Sequence, residues 1–351
     1  MTCFTLNGKA VISQSLPSTR LSEVLRGEMG LSGTKIGCNA GDCGACSVLL
    51  DDEPICSCLT TVAQVGGAKV TSIEGLNAEN IISNLQESFL AHGAAQCGIC
   101  TPGMLVAAHA LLLKNPTPDR CDVEDALGGV LCRCTGYGKI IDAVLAVNSD
   151  TPIKSLPQVG RSVGIPIRHL DGQSKVDASL VYGDDAAPQD SMMVRVIRSP
   201  HHYASFKVGD KAAFLSKHPG IVAVLDASDI PGRNCFGVIP PFADQPVFAE
   251  ETALYRGDAV AAIVGEADVI TRFDEADFPI TWDPHDTMLT PEAAMGVNAP
   301  NLHESRDGNI LVRGYVECGD ADSALAAAKH KVEIRTKTPL IEHAYIEPEA
   351  G

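Results

Sequence analysis

Eight of the thirteen cysteines in this 351-residue chain form two groups whose spacing suits metal binding. The first group is Cys38-x4-Cys43-x2-Cys46 with a more distant Cys58, and the second pairs Cys97-x2-Cys100 with Cys132-x-Cys134. Four thiolates are the ligand set of a [2Fe–2S] cluster and also of many structural zinc ions. Each group therefore contains one complete set of ligands.

The first group has the spacing by which plant-type ferredoxins hold a [2Fe–2S] cluster. Its loop, IGCNAGDCGACS, carries Gly37, Gly41 and Gly44 between the cysteines. Glycine lets backbone N–H groups approach the cluster sulfurs closely. Strand-like stretches surround the loop at 3–8, 46–51 and 68–75. The first group therefore predicts a small β-grasp ferredoxin domain that moves electrons.

Other chemistries fit the first group less well. Zinc sites usually use two separated Cys-x2-Cys pairs, which would leave Cys38 without a role. Disulfide frameworks are typical of small secreted domains, and we see no secretory signal in the sequence. Cys56 lies two residues from Cys58 and could be mistaken for it as the fourth ligand. We favour Cys58 and interpret Cys56 as a packed thiol.

The second group lies among predicted helices. Apolar residues at helical spacing predict helices over 81–92, 101–113, 122–130 and 138–147. Thr101 and Pro102 are expected at the N-cap and N1 positions of the second helix. Both cysteine pairs then precede helix N-termini, where partial positive charge favours an anionic cluster. A catalytic thioredoxin-type Cys-x-x-Cys would need a βαβ unit and would leave the second pair unexplained.

QCGICTPGM (96–104) and CRCTGY (132–137), placed after a plant-type loop, resemble the iron–sulfur region of the xanthine dehydrogenase/aldehyde oxidoreductase family of molybdenum hydroxylases. This likeness covers residues 1–147. Three later stretches resemble the first part of the family's molybdenum-binding portion: 195–206, 245–266 and 342–351. The resemblance implies that Gln96 and Cys134 touch a molybdopterin cofactor, and that Cys134 also binds iron.

The resemblance also implies a reaction, which is hydroxylation with oxygen taken from water. Electrons would leave singly through the helical-domain cluster to the ferredoxin-like cluster. In relatives the glutamate that acts as base lies far downstream, so we assign no catalytic residue to this chain. Full xanthine dehydrogenases insert a flavin domain after the helical domain, and this sequence has none there. FAD is therefore expected only on another subunit.

Three functions are compatible with these features. EHAYIEPEAG at 342–351 favours hydroxylation of an N-heteroaromatic substrate that is purine- or nicotinate-like. The missing flavin domain favours the alternative of an aldehyde oxidoreductase. A dedicated iron–sulfur electron carrier is the third possibility, and the roughly 180 residues after the linker count against it.

Composition narrows the choice of partners. A formal net charge of −17 argues against nucleic acid or an anionic membrane, and no apolar run reaches membrane-spanning length. Cysteine-rich composition without a secretory signal indicates a reducing compartment, which we take to be the cytoplasm. The five cysteines outside the two groups have no ligand spacing, and we expect them to be small buried hydrophobes: Cys3, Cys56, Cys121, Cys235 and Cys318.

The predicted fold class is α+β, in five segments. These are a plant-type ferredoxin domain (1–76), a four-helix [2Fe–2S] domain (77–148), a linker (149–172), an α/β hammerhead domain (173–286) and the start of a molybdopterin-binding domain (287–351). We expect an obligate partner chain to complete the last segment, since a chain ending there would leave strand edges unpaired. A truncated sequence is the alternative.

Local patterns in the second half are less specific. Ile221–Leu225 and Ala259–Val264 are predicted as buried strands, and a helix over 320–329 should lead into a strand over 332–338. His201, His202 and His343 lack partners at ligand spacing and are expected to be structural. Glu347 is a hypothetical neighbour of the active-site cavity.

Overall fold

The computed structural model describes residues 1–77, 80–148, 159–165, 167–186, 188, 190–239, 242–303, 306–342, 344 and 346. The chain separates into two compact units. The first is Met1–Ala187 with Lys337–Gly351, and the second is Pro188–Thr336. The boundary between the units falls after the predicted start of the hammerhead segment at 173.

A five-stranded mixed sheet forms the start of the first unit, in the order β2-β1-β5-β3-β4. Its strands are β1 (Thr2–Leu6), β2 (Lys9–Ser13), β3 (Ser47–Leu50), β4 (Glu53–Cys56) and β5 (Lys69–Thr71). β1 and β5 run parallel, and the other neighbours are antiparallel. The three strands predicted around the first cysteine group are present as β1, β3 and β5.

A short helix covers one face of this sheet. Helix α1 (Leu21–Glu23) runs directly into a π-helical turn at Val24–Glu28. Apolar side chains of the helix, the strands and a 3₁₀ turn at Val62–Val65 form one buried cluster: Phe4, Leu6, Leu21, Val24, Leu25, Val48, Val62, Val65 and Val70. Full burial of each large aliphatic side chain contributes about 1.5–3 kcal/mol.

Helices make up the rest of the first unit. They are α2 (Ile73–Leu76), α3 (Asn80–His92), α4 (Thr101–Lys114), α5 (Arg120–Leu127), α6 (Gly138–Leu145) and α7 (Gly172–Val176). Helix α4 is buried on every face from Thr101 to Ala110, as a central apolar helix must be. The four longest helices correspond to the four that apolar periodicity predicts.

The start of α4 differs from the prediction by one residue. Thr101 is its first helical residue, and Cys100 is the N-cap. The Thr101 N–H donates to the Gly98 carbonyl at 3.2 Å, so the chain turns one residue early. Pro102 still lies in the first turn, where its missing N–H costs no intrahelical bond. The helix therefore begins directly at the second cysteine of its pair.

Residues 172–186 return across both halves of the first unit. The Tyr182 hydroxyl donates to the Cys97 carbonyl at 2.7 Å. Asp185 accepts from the buried Lys35 ammonium at 3.3 Å, beside the first cysteine loop. This segment therefore links the helical half to the sheet half.

The second unit contains two three-stranded sheets, ordered β6-β10-β8 and β11-β7-β9. The strands are β6 (Met193–Arg198), β7 (Ala204–Val208), β8 (Ile221–Leu225), β9 (Thr252–Ala253), β10 (Ala259–Gly265) and β11 (Ile280–Pro284). Four helices accompany them: α8 (Lys211–Lys217), α9 (Ala267–Arg272), α10 (Pro291–Ala294) and α11 (Ala321–Ala327). The two predicted buried strands are present as β8 and β10, and the predicted helix is α11.

The strand predicted over 332–338 is wrong. These residues have no strand conformation, and Val332 and Ile334 are exposed. An alternating apolar pattern forms a strand only when a neighbouring strand pairs with its backbone groups. The described part of the chain provides no strand beside this segment.

Membrane insertion by a helix finds no support in the structure. Among the helices of the described residues, none is both long and apolar enough to cross a bilayer.

Replacing Gly103 with Ala should destabilise the first unit. A Cβ at Gly103 would lie 2.6 Å from the Gly44 carbonyl oxygen, so α4 or the first cysteine loop would have to move. We expect the free energy of unfolding to fall by about 1–3 kcal/mol. Denaturant unfolding followed by circular dichroism measures this change.

Gly138→Ala is the matched control, because Gly138 also lies in a helix and a Cβ there would meet no atom within 4 Å. Its stability should stay the same or rise slightly, since Ala has the higher helix propensity. An equal loss in both variants would contradict the close approach of α4 and the loop.

Candidate metal centres

Cys38 and Cys43 lie side by side in the first cysteine loop. The Cys38 N–H donates to the Cys43 sulfur, and the Cys43 N–H donates to the Cys38 sulfur, both at 3.3 Å. The Ala40 N–H also donates to the Cys38 sulfur at 3.3 Å. Hydrogen bonds from backbone N–H groups stabilise negative charge on sulfur. This half of the loop is therefore built to hold thiolates.

Cys46 and Cys58 form the second pair of the first group. Both side chains are buried, and their thiols hydrogen-bond to each other. The Gly41 N–H also donates to the Cys58 sulfur. The Ser57 hydroxyl donates to the Cys46 carbonyl at 2.7 Å, which holds the segment carrying Cys58 against the start of β3. All four predicted cysteines of this group thus converge on one loop.

Cys56 lies at the same site but makes a different contact. Its sulfur is 3.8 Å from the Gly41 carbonyl oxygen, with the S–H as donor. Burial, followed by the neighbouring Cys46 and Cys43 thiols, raises the pKa of Cys56. Cys56 therefore lies beside the site as a fifth thiol.

Burial and backbone hydrogen bonds act in opposite directions on these thiols. Burial raises the pKa of Cys38, but the N–H groups of Ala40 and Cys43 outweigh it and lower the pKa to about 7. At Cys58, burial and then the Cys46 thiol raise the pKa to about 12. Several adjacent buried thiolates are costly without a compensating positive charge. The group would gain that charge from bound metal.

The closest pair in the second group is Cys100 and Cys132, whose thiols hydrogen-bond to each other. This bond lowers the pKa of Cys132 to about 5, and it raises the pKa of Cys100. Thr135 assists Cys132, because its Oγ1 lies 3.0 Å and its N–H nitrogen 3.4 Å from the Cys132 sulfur. Charges on Cys97 and Cys134 act on Cys100 as well, so all four predicted cysteines face one site.

Two tyrosines hold the loops of the second group, and the sequence analysis missed both. The Tyr137 hydroxyl accepts the Cys132 N–H at 3.0 Å, and the Tyr182 hydroxyl donates to the Cys97 carbonyl at 2.7 Å. The position of Tyr137 directly after CRCTG was a usable signal. Tyr182 is far from Cys97 in sequence and had no such signal.

The two cysteine groups meet through one backbone contact. The Leu131 N–H donates to the Cys43 carbonyl at 2.8 Å, and Leu131 directly precedes Cys132. Gly44 permits this approach, because its φ is +66° and a Cβ there would lie 2.0 Å from the Gly129 carbonyl oxygen. Cys43 of the first group therefore accepts this hydrogen bond, and Cys132 of the second group directly follows its donor.

The thiols of the two groups approach one another in pairs. Within the described ranges, no three His, Cys, Asp or Glu side chains are arranged around one metal ion. A [2Fe–2S] cluster distributes its four thiolates over two irons. The thiols approach in pairs that match this division: Cys38–Cys43, Cys46–Cys58 and Cys100–Cys132.

Gln96 and Cys134 lie on the accessible side of the second group. Gln96 is exposed one residue before Cys97, and Cys134 is half-buried. A ligand held by another polypeptide could therefore reach both.

Of the histidines considered in the sequence and Glu347, the described residues include His201 and His202. His201 packs edge-on against Trp282 with ring centroids 5.5 Å apart, and His202 is exposed. His343 and Glu347 lie outside the described residues.

The expectation of burial for the remaining cysteines is wrong for most of them. Cys3, Cys121 and Cys318 are exposed, and Cys56 and Cys235 are half-buried. Cys3 alternates with the buried Phe4 along β1, so it faces away from the core. Lack of ligand spacing therefore does not determine burial.

Comparison with known families gives two matches. Residues 72–145 match the [2Fe-2S] binding domain, and residues 177–275 match the a/b hammerhead domain of aldehyde oxidase and xanthine dehydrogenase.

Curated relatives agree with these matches. The chain is 30% identical to aldehyde oxidoreductase of Megalodesulfovibrio gigas over 371 residues, covering 99% of this chain and 40% of the relative. It is 44% identical to a probable xanthine dehydrogenase subunit of Bacillus subtilis over 146 residues, covering 42% of this chain and 84% of that protein.

A solved structure of aldehyde oxidoreductase from Desulfovibrio gigas is also similar, with a TM-score of 0.81 and 28% identity. The match covers 93% of this chain and 38% of that chain. This chain thus spans about 40% of the length of the aldehyde oxidoreductase relative.

Proposed function

Since the chain belongs to the xanthine dehydrogenase and aldehyde oxidoreductase family of molybdenum hydroxylases, we propose that it is the iron–sulfur electron-transfer part of such an enzyme. The observation that carries the proposal is the meeting of two four-cysteine groups at one backbone hydrogen bond, 2.8 Å from Leu131 to Cys43. An isolated metal-binding domain would not need a second thiol set so near.

The proposed iron ligands are the eight cysteines of the two groups: Cys38, Cys43, Cys46, Cys58, Cys97, Cys100, Cys132 and Cys134. A [2Fe–2S] cluster bound by each set would accept and release single electrons. The N–H donors at Cys38 and Cys43 and the hydroxyl of Thr135 would then stabilise sulfur charge and tune the potentials.

The proposed direction of electron flow, from the helical group to the ferredoxin-like group, is the one that the resemblance to molybdenum hydroxylases implies. Gln96 and Cys134 lie on the accessible side of the helical group, where we place contacts to a molybdopterin shared with a partner chain. Cys38 is the exposed cysteine of the ferredoxin-like group. Electrons would therefore enter at the helical group, cross at the Leu131–Cys43 contact and leave near Cys38.

The domain assignment follows the same proposal. We assign 1–76 to a β-grasp ferredoxin domain, 77–148 to a four-helix domain, 173–286 to the hammerhead and 287–351 to the start of the molybdenum-binding domain. The exposed apolar side chains of Val332 and Ile334 support completion of that domain by an obligate partner chain. FAD, if present, would lie on a further subunit, and the cysteine-rich sequence favours a reducing compartment such as the cytoplasm.

For the substrate we propose an N-heteroaromatic ring, purine- or nicotinate-like, with electrons passing to a flavoprotein or another acceptor. The likeness to a xanthine dehydrogenase component supports a ring substrate. An aldehyde is the alternative, supported by the likeness of nearly the whole chain to an aldehyde oxidoreductase. The catalytic base is expected on the partner chain in either case.

Metal analysis separates the proposal from a simple electron carrier. The chain, purified with the proteins that accompany it, should contain molybdenum and pterin together with about four irons per copy, two for each cluster. Plasma mass spectrometry and pterin fluorescence measure these contents. Iron without molybdenum would identify a simple electron carrier. Zinc in place of iron would refute both the carrier and the molybdenum hydroxylase assignment.

Cys43→Ser should remove or shift the EPR signal of the ferredoxin-like cluster. Roughly half of the iron should be lost, because one of two [2Fe–2S] sets is broken, while molybdenum stays bound. Cys121→Ser is the matched control, since Cys121 is exposed on α5. Unchanged spectra in Cys43→Ser would contradict the ligand assignment.

Gln96→Ala should weaken pterin retention by about tenfold and leave the iron content unchanged. Fluorescence of released pterin after gel filtration measures the retention. Gln173→Ala serves as the control, because Gln173 is also an exposed glutamine of the first unit. Full pterin occupancy in Gln96→Ala would count against the proposed contact.

A further inference from the structure

Five thiols surround the ferredoxin-like site, one more than a [2Fe–2S] cluster needs. Cys56 is the additional one, at the end of β4 directly opposite Ser47 in the sheet register. Ser47 follows Cys46 in the chain, so Cys56 arrives beside a proposed ligand. The role of this fifth thiol is not explained by the four-ligand site.

Gly41 distinguishes Cys56 from Cys58. The Gly41 N–H donates to the Cys58 sulfur, whereas the Cys56 S–H donates to the Gly41 carbonyl oxygen at 3.8 Å. The Cys56 and Cys58 sulfurs therefore lie on opposite sides of Gly41, one against its carbonyl oxygen and the other against its N–H.

Ser57 lies between these two cysteines and anchors both of them. Its N–H donates to the Cys46 carbonyl at 3.4 Å, and its hydroxyl donates to the same oxygen at 2.7 Å. Cys56 and Cys58 are therefore the direct neighbours of a residue that is bonded twice to the Cys46 carbonyl. The Leu59 N–H donates to the Cys56 carbonyl at 3.1 Å, while the Leu59 side chain is exposed at the surface.

We propose that Cys56 is a reserve ligand of the ferredoxin-like cluster, able to bind iron in place of Cys58. This inference rests on the proposed function. When Cys58 is replaced by alanine, a Cys56 sulfur–iron bond forms and the Cys56 thiol proton passes to water. No Cys58 sulfur–iron bond exists in that variant to be broken, and no oxidation state changes. The ferredoxin-like cluster of this variant would therefore keep four thiolate ligands.

The test compares four proteins, each purified with its accompanying chains: wild type, Cys58→Ala, Cys56→Ala and Cys56→Ala/Cys58→Ala. Iron content and EPR spectra of the reduced proteins are the readouts. Cys58→Ala should keep most of its iron and both cluster signals, with altered g values for one of them. Cys56→Ala should match wild type. The double variant should lose that signal and roughly half of its iron.

Cys43→Ala provides a further comparison. Cys43 already pairs with Cys38 on the opposite side of the loop, so its loss should remove the signal even though Cys56 is present.

Two results would overturn the reserve role. One is a Cys58→Ala variant that loses the signal as completely as the double variant. The other is loss of the EPR signal in the Cys56→Ala single variant, which would make Cys56 the native ligand. In both cases, iron in the wild-type protein would still agree with the proposed electron-transfer function. A wild-type protein without iron would overturn both conclusions.

Discussion

The convergence of several cysteine sulfurs in a partly buried place is the constraint on which the first unit depends. Adjacent thiolates repel each other and lose hydration, so they need N–H donors around them and positive charge between them. The first loop supplies donors from its own backbone to Cys38 and Cys43. The second group uses Thr135 and lies at the N-terminal ends of α4 and α6.

Close contact between the sheet half and the helical half is the second requirement. Gly44 and Gly103 remove the side chains that would separate the first loop from α4, and the Leu131 N–H then reaches the Cys43 carbonyl. Single electrons move efficiently only over short distances. The same glycines that permit tight packing would therefore keep the two proposed clusters close together.

Exposure differs among the cysteines and their neighbours in the first unit. Cys38, Gln96 and Cys134 are at least partly exposed, while Cys43, Cys46, Cys100 and Cys132 are buried. Family membership rests on sequence likeness over the iron–sulfur region and the hammerhead. The chain spans about 40% of the length of the aldehyde oxidoreductase relative.

Cysteine spacing by itself predicted both proposed ligand sets. Local patterns also determined the three strands around the first loop and the four main helices. Only the tertiary structure decided which of Cys56 and Cys58 accepts the Gly41 N–H, and that Tyr182 holds the Cys97 loop. It also left 332–338 without a strand and most of the remaining cysteines exposed. Hydrogen-bond direction, strand pairing and burial depend on neighbours distant in sequence, and local patterns do not contain them.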